Sequence, residues 1–299
     1  MSISRPLDSA DVEHFIAHGF VRLSNCFDTA PGSLAHRWVE QSWVRNGISP
    51  DDRTTWPNDK IHMPGTERVV VRDFAPKAFA AMQELCGGAD RIKQNTEWTN
   101  GFIANYGWGR DKEWIAPSAV APGWHKDGDF FLHFLDSPEQ ALLVVVLFSD
   151  IHPRGGGTFI ACDSVGVIAR FLAAHPEGVE PNGFKGLIEN CKDFRETTGK
   201  AGDVFLLHPY LLHTSSHNHR PEARFMINPC VHFNAPMRFD RRDDGSAYSP
   251  VEKAVLRGLG VDHYDFQLTA PRRAIIPPRV ANQRLLLEKE KERLAALKA

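Results

Sequence analysis

The segment "GDVFLLHPYLLHTSSHNHRPEARFMIN" (residues 202–228) contains the features that decide the fold. Gly202 and Asp203 form a turn ahead of one apolar run, and a second apolar run ends at His213. A polar loop follows, and a third apolar run begins at Arg224. Short apolar runs bounded by Gly and Pro are typical of β-strands joined by tight connections.

This strand pattern continues through the chain from residue 98 onward. We predict strands within the segments 101–108, 141–150, 157–163, 203–208 and 224–233. One helix, over 164–175, is inserted among them. Helices are expected in the part of the chain that precedes these strands. This order indicates a mostly β fold with flanking helices, in which helices pack against a barrel or jelly roll. Barrels of this kind bind their ligands at the mouth.

The part of the chain before residue 98 has helical spacing of apolar residues. An opening helix can be capped by Asp8 or Ser9 and ended by Gly19. The further elements expected here are a strand at 20–23, helices at 33–46 and 76–86, and a polar loop at 46–65. With no repeat and no clear linker, we predict one domain over 1–299, with helices in 1–97, the β core in 98–235 and a C-terminal arm and helix in 236–299.

Composition excludes several classes of protein. A net charge of −2 and a pI near 6.7 favour neither a nucleic-acid partner nor an acidic membrane surface. Five widely spaced cysteines without a C-x-x-C motif argue against disulfides and thiolate zinc sites. The longest apolar run, 141–148, is too short to span a bilayer, and the N-terminus has no apolar signal region. We expect a cytoplasmic protein with no membrane partner; the oligomeric state stays open.

The stretch "PGWHKDGDFF" (121–130) holds an H-x-D triplet, His125 to Asp127. Two histidines and one carboxylate on one face of a metal leave three positions open, an arrangement typical of non-haem Fe(II) oxygenases. The C-terminal triplet that starts at His263 has no later histidine to complete such a set. A further triplet, of the form H-x-E, starts at His175. There, Pro176 disfavours a regular strand directly after the histidine.

The third ligand must come from the four histidines of segment 202–228. His217 and His219 lie in a polar run and are interpreted as solvated loop residues. His208 and His213 are five residues apart, so they face opposite ways in a continuous strand. Pro209 interrupts the strand after His208, which favours His213 as the ligand.

A metal-chelating 2-oxoacid has a far carboxylate that must also be held. A guanidinium suits it, because its planar fork makes a two-point contact. Arg224 follows His213 by eleven residues, and Ser215 offers a hydroxyl two residues after His213.

The order of these features resembles the phytanoyl-CoA dioxygenase-like family, over roughly residues 8–235. The residues that carry the resemblance are His125, Asp127, the glycine turn 154–157, Gly202-Asp203, His208-Pro209, His213, Ser215 and Arg224. The resemblance implies a double-stranded β-helix (a cupin-like jelly roll) and an enzyme dependent on Fe(II), 2-oxoglutarate and O₂. It implies that His125, Asp127 and His213 are the catalytic metal ligands, and that Arg224, Ser215 and Thr158 bind 2-oxoglutarate.

The activity implied by the resemblance is oxidation of a C–H bond in a small molecule, with hydroxylation as the default outcome and succinate and CO₂ as co-products. The carboxylate of Asp127 argues against halogenation, because halogenating relatives lack it. The sequence departs from some relatives at Pro122, where they carry a Gln or an aromatic residue. Two alternatives remain, a non-catalytic ligand-binding barrel and a zinc hydrolase that uses the same triad. Neither alternative explains Arg224.

Four tryptophans lie close together before and within the H-x-D stretch, at 98, 108, 114 and 124. Arg110, Lys112 and Lys126 are interleaved with them. Aromatic walls with cationic groups would suit a small carboxylated or planar substrate, although core packing is the favoured explanation for any single tryptophan. Strand alternation is expected to turn Lys126 away from the metal.

Overall fold

The computed structural model describes residues 6–241 and 247–296. The α-helices in these ranges are α1 (Ser9–His18), α2 (Leu34–Asn46), α3 (Val71–Phe74), α4 (Pro76–Cys86), α5 (Ser164–Ala173), α6 (Pro250–Leu259) and α7 (Arg279–Ala296). The strands are β1 (Phe20–Leu23), β2 (Lys60–His62), β3 (Arg68–Val70), β4 (Glu97–Thr99), β5 (Ile103–Asn105), β6 (Leu142–Leu147), β7 (Thr158–Ala161), β8 (Phe194–Glu196), β9 (Val204–Leu207), β10 (His213–Ser215), β11 (Arg224–Ile227) and β12 (Cys230–Val231).

Two antiparallel sheets form the centre of the fold. The larger sheet has the order β1-β9-β6-β11-β5-β2, with β12 beside β6, and the smaller sheet has the order β10-β7-β8. A bridge between His125 and His213 adds the H-x-D stretch to the edge of the smaller sheet. From β5 to β11 the chain passes back and forth between the sheets, which is the topology of a jelly roll. The mostly β fold with flanking helices and a double-stranded β-helix core is confirmed.

The two sheets face each other across the space that will hold the site. The amine of Lys60 on β2 donates a hydrogen bond of 3.0 Å to the hydroxyl of Ser215 on β10. The hydroxyl of Thr158 on β7 lies 3.7 Å from the sulfur of Met226 on β11. Both contacts cross from the larger sheet to the smaller one, so the inner faces of the sheets enclose these side chains.

Most of the local predictions hold. Helix α1 begins after the Asp8 cap and ends at Gly19, whose φ of 73° lies in the left-handed region that glycine favours. Helices were also expected where α2, α4 and α5 occur. Strand β1 has its predicted bounds, whereas the strands within the segments predicted after residue 98 are shorter than those segments, and the 224–233 segment is split at residues 228–229. The predicted C-terminal helix is present as α7, and its last three residues lie outside the described ranges.

Several elements were not expected, namely α3, α6, β2, β3, β4 and β8. Strand β2 lies within the predicted loop 46–65 and pairs with β5 at the edge of the larger sheet. Helix α6 packs against α1, α4 and α5. Together with β1, strand β2 extends the sheet to residues before 98, because edge strands of three or four residues can pair wherever a neighbour offers free backbone groups.

Helix α7 lies on the outside and buries none of its residues. Two ion pairs attach it: Arg45 on α2 to Glu290 at 2.7 Å, and Arg279 to Asp129 in the loop after the H-x-D triplet. Across residues 6–241 and 247–296, no helix is both long and apolar enough to cross a membrane.

Candidate functional site

The structure brings His125, Asp127 and His213 together at the edge of the smaller sheet. The Nε2 atoms of His125 and His213 lie 3.4 and 3.5 Å from Asp127 Oδ1. One ligand atom from each residue lies within 4.8 Å of the other two. In the described part of the chain no other group of three His, Cys, Asp or Glu side chains meets this spacing. The three side chains could therefore share one metal ion.

Backbone carbonyls orient both imidazoles. His125 Nδ1 lies 2.8 Å from the Gly123 carbonyl, and His213 Nδ1 lies 3.1 Å from the Leu211 carbonyl. An Nδ1–H that donates to a carbonyl leaves Nε2 as the free, metal-binding nitrogen. His213 Nε2 is buried and has no hydrogen-bond partner, which fits a nitrogen whose partner is a cation. Two neutral imidazoles and one carboxylate suit a divalent transition metal.

The charges within the triad reinforce each other. Burial alone would raise the pKa of Asp127, but the nearby His213 and His125 imidazoles outweigh it and lower the pKa below its usual range. Burial would likewise lower the pKa of His125, but the hydrogen bond that its imidazole donates to the Asp127 carboxylate raises the pKa above the ordinary value. The carboxylate is thus ionised, and a metal ion can take the place of the shared protons.

Lys126 points away from the triad, as strand alternation predicts. Its amine is buried, 3.0 Å from His133 Nδ1 and 3.1 Å from the Asp127 carbonyl. Phe131, Phe184 and Tyr210 surround the amine. Burial lowers the pKa of Lys126 to about 7. The side chain therefore supports the backbone of the loop at 125–129 from behind and adds no charge to the triad.

Arg224 is a buried cation without an acidic partner. Its side chain is 1% exposed and donates to the carbonyls of Gly156 at 2.7 Å and Ile103 at 3.3 Å. The Nε–H is buried and has no partner. Burial lowers the pKa of Arg224 to about 10. A buried guanidinium that lacks an anion is costly, so this position is suited to a carboxylate ligand.

A second cation, Lys60, lies beside Arg224 and was missed by the sequence interpretation. In the register of the larger sheet, Lys60 lies opposite Asn105, and Asn105 lies opposite Arg224. Directly paired residues share a face of the sheet, so the three side chains form one row. Burial, and next the charge of Arg224, lower the pKa of Lys60. A lysine on a three-residue edge strand carries no sequence signal that could have found it.

The two hydroxyls predicted to bind the co-substrate lie on the smaller sheet, facing this row. Ser215 and Thr158 are directly opposite each other in the pairing of β10 with β7. Ser215 is two residues from His213 in β10, so the two side chains lie on the same, inner face. Ser215 accepts the hydrogen bond from Lys60. The triad is thus adjacent to the row formed by Lys60, Asn105 and Arg224, which we call the cation row. Both belong to one cleft.

The structure separates the remaining histidines of segment 202–228 from the triad. The His208 ring is fully buried, lies 3.2 Å from the Val251 carbonyl and accepts from the Tyr210 amide, so it fixes the chain bend before β10. His217 and His219 are half-buried, with stacked rings 6.2 Å apart. They are less solvated than predicted, because Trp108 and Trp114 pack against them.

Packing accounts for two of the four clustered tryptophans. Trp98 is buried against Phe27 and Phe74, and Trp124 packs against Phe194. None of the four clustered tryptophans lines the cavity beside His125 and Asp127. The expected aromatic wall for a carboxylated or planar substrate is absent from that cavity as described.

Comparison with solved structures gives distant matches. HygX from Streptomyces hygroscopicus, solved with nickel and 2-oxoglutarate bound, is 14% identical, with 86% of this chain and 97% of that chain covered and a TM-score of 0.44. The epimerase SnoN, in complex with Fe³⁺, alpha ketoglutarate and nogalamycin RO, is 15% identical, with coverages of 90% and 96% and a TM-score of 0.45. EvdO2 from Micromonospora carbonacea var. aurantiaca, complexed with 2-oxoglutarate, is 12% identical, with coverages of 79% and 94% and a TM-score of 0.47.

No family model matches the chain, and no curated protein matches it. With identities of 12–15% and TM-scores below 0.5, the solved structures are distant likenesses. The interpretation of the site therefore rests on this chain's own residues, which place a two-histidine, one-carboxylate triad and a buried arginine in a double-stranded β-helix.

Proposed function

We propose that this protein is an Fe(II)- and 2-oxoglutarate-dependent dioxygenase that oxidises an unactivated C–H bond of a small molecule. The observation that carries the proposal is the combination of an oriented His–Asp–His triad with a buried, unpaired guanidinium in the same cleft. The triad explains the metal, and Arg224 explains the carboxylate of a chelating co-substrate.

In this proposal, His125, Asp127 and His213 hold Fe(II). Arg224 binds the far carboxylate of 2-oxoglutarate in a charge-assisted contact, because its Nε–H has no other partner. Lys60 supplies the second positive charge, and Ser215 and Thr158 offer hydroxyls from the opposite sheet. These groups would fix the co-substrate so that its oxoacid end faces the metal.

The overall reaction consumes O₂ and 2-oxoglutarate, and places one oxygen atom in succinate and one in the hydroxylated product, with release of CO₂. When bound, Fe(II) supplies the open coordination positions and the redox chemistry for this coupling. The chain's own residues hold and orient the reactants. Desaturation or ring closure would use the same residues.

Two other functions were open from the sequence. A non-catalytic ligand-binding barrel has no need for a complete triad beside a buried arginine. A zinc hydrolase needs the triad but gives no role to Arg224 and Lys60, whose charges a 2-oxoacid dianion would neutralise. The cation row thus favours the oxygenase over both alternatives.

The decisive experiment measures CO₂ release from labelled 2-oxoglutarate in the presence of Fe(II) and ascorbate. We expect turnover with Fe(II), none with Zn(II) alone, and none in Asp127→Ala. The control is Asp265→Ala, which changes the exposed carboxylate of the C-terminal triplet that starts at His263, outside the triad. Turnover that persists in Asp127→Ala would remove the metal assignment.

We also propose that the chain forms one oxygenase domain over 1–299, that it belongs to the phytanoyl-CoA dioxygenase-like family and that it acts in the cytoplasm. The substrate is a small molecule in this proposal, with no nucleic acid and no membrane as partner. The continuous larger sheet, with strands from residues 20–62 and 103–231, supports a single domain.

A further inference from the structure

A cavity of about 640 Å³ opens beside His125 and Asp127. This size falls within the range of ~300–1,000 Å³ that is usual for small-molecule sites. On the larger sheet, His62 lies opposite Ile103, two residues along from the row of Lys60 and Asn105. His62 and Ile103 line the cavity. One face of the larger sheet thus carries the cation row and, two residues further along, part of the wall of this cavity. We call this cavity the chamber.

The chamber is lined by four side-chain amides, which belong to Gln140, Asn182, Asn228 and Gln283. Each amide offers both donors and an acceptor, which is the pairing that a hydroxyl group needs. Gln140, just before β6, is 3% exposed, and its Oε1 has no hydrogen-bond partner. A buried acceptor without a partner is costly, and a ligand that donates a hydrogen bond to the Gln140 side chain would offset this cost.

The charged side chains that line the chamber are already committed elsewhere. His125 and Asp127 belong to the triad, and the Lys126 amine lies against His133 on the far side. Asp129 forms a two-point ion pair with Arg279 at the chamber rim.

The remaining titratable groups among the described lining residues are Cys230 and His62. Burial raises the pKa of the Cys230 thiol to about 11, so it carries no charge at neutral pH. Burial, and next the charges of Lys60 and Arg224, lower the pKa of His62. It is therefore neutral at neutral pH. Among the described lining residues, no fixed charge is left over to match a charged substrate.

Helix α7 forms one side of the chamber. Arg279 in its first turn and Gln283 in the next both line the cavity, and Arg279 donates to the Gln283 side-chain oxygen at 3.0 Å. The ion pair with Asp129 holds this end of the helix against the metal-binding loop. Helix α7, although it lies on the outside of the fold, therefore contributes side chains to the chamber.

We propose that this chamber binds a neutral, hydroxyl-rich small molecule of sugar or cyclitol type, with Gln140 and Gln283 as specificity-determining residues. The inference rests on the proposed function in that the bound molecule is the one to be oxidised. Binding itself depends on the chamber residues alone and can be measured without turnover.

The test compares one ring skeleton with different charges. The protein, loaded with Fe(II) and 2-oxoglutarate without oxygen, is titrated calorimetrically with methyl glucoside and myo-inositol, methyl glucuronide (anionic), methyl glucosaminide (cationic) and cyclohexanol (apolar). We expect at least one neutral polyol to bind about tenfold or more tightly than the charged and apolar compounds, because each unmatched group is worth ~1.4 kcal/mol or more. Tighter binding of a charged or apolar compound, or binding of none, overturns the proposal.

Variants then locate the binding. Gln140→Leu and Gln283→Leu should each weaken polyol binding about tenfold, whereas Gln83→Leu, on α4 away from the chamber, should leave it unchanged. Gln283 is exposed, so its replacement tests the chamber even if Gln140→Leu fails to fold. Unchanged polyol binding in Gln283→Leu, or equal weakening in Gln83→Leu, would refute the assignment.

A separate readout keeps the two proposals apart. Fe(II) chelated by a 2-oxoacid develops a visible absorption band, which reports the co-substrate complex without any polyol. The band without polyol binding would overturn the substrate class alone. Polyol binding without the band would overturn the oxygenase function and leave the chamber assignment standing.

Discussion

Replacement of Arg224 by methionine should have opposite effects on stability and on co-substrate binding. Methionine fills a similar volume without a charge. Burial lowers the pKa of Arg224 from 12.5 to about 10, which corresponds to about 3 kcal/mol of uncompensated desolvation in the ligand-free protein. The variant removes this cost but leaves the carbonyls of Gly156 and Ile103 without a donor, at roughly 1 kcal/mol each. We therefore expect the ligand-free variant to be as stable as the wild type or more stable by about 1 kcal/mol.

Binding of 2-oxoglutarate should fall sharply in the same variant. Loss of a buried charge partner costs roughly 2–5 kcal/mol, which is a weakening of about 30-fold or more. In urea unfolding with Mn(II), 2-oxoglutarate at 100 times its dissociation constant should stabilise the wild type by about 2.7 kcal/mol. Arg224→Met should gain much less.

The control is Arg220→Met, which removes an exposed arginine whose Nε donates to the Pro153 carbonyl. It should leave the stabilisation by 2-oxoglutarate unchanged. Two results would refute the reasoning. If ligand-free Arg224→Met loses more than about 2 kcal/mol, the arginine is a structural residue. If it keeps its response to 2-oxoglutarate while Arg220→Met loses it, the anchor is Arg220.

Three further predictions concern the triad and its surroundings. Asp127→Ala should lose metal binding measured by calorimetry, because it removes the anionic ligand, while its circular dichroism stays that of the wild type. His213→Ala should lose iron-dependent turnover and His217→Ala should keep most of it; the reverse pattern would mean that His217 is the ligand. Burial lowers the pKa of His208 to about 3, whereas an unfolded histidine titrates near ~6.5. Below about pH 6.5, His208 therefore binds a proton in the unfolded chain but not in the folded protein. As the pH decreases to 5, the free energy of unfolding falls by about 2 kcal/mol. Between pH 7 and 5, the free energy of unfolding measured in urea should fall less in His208→Gln than in the wild type. An equal fall in both would count against His208 as the cause.

The sequence by itself determined the features that depend on local chemistry. The caps of α1, the apolar run of β6 and the turn before β9 are set by residues within one element and its neighbours, so pattern and propensity suffice to predict them. The H-x-D triplet and His213 could be paired as candidates because the metal demands a fixed set of donor types. Helix α6 could also have been found, since Ser249 and Glu252 form a capping box at its start.

Only the tertiary structure decided which distant residues share the cleft. Lys60 lies opposite Asn105 because β2 pairs with β5, a contact between strands more than forty residues apart that leaves no local pattern. Gln140 and Gln283 both line the chamber because α7 lies beside it, where the Arg279–Asp129 ion pair holds the helix. Pairing register and the path of a surface helix depend on the whole set of packing contacts, and a single sequence does not reveal them.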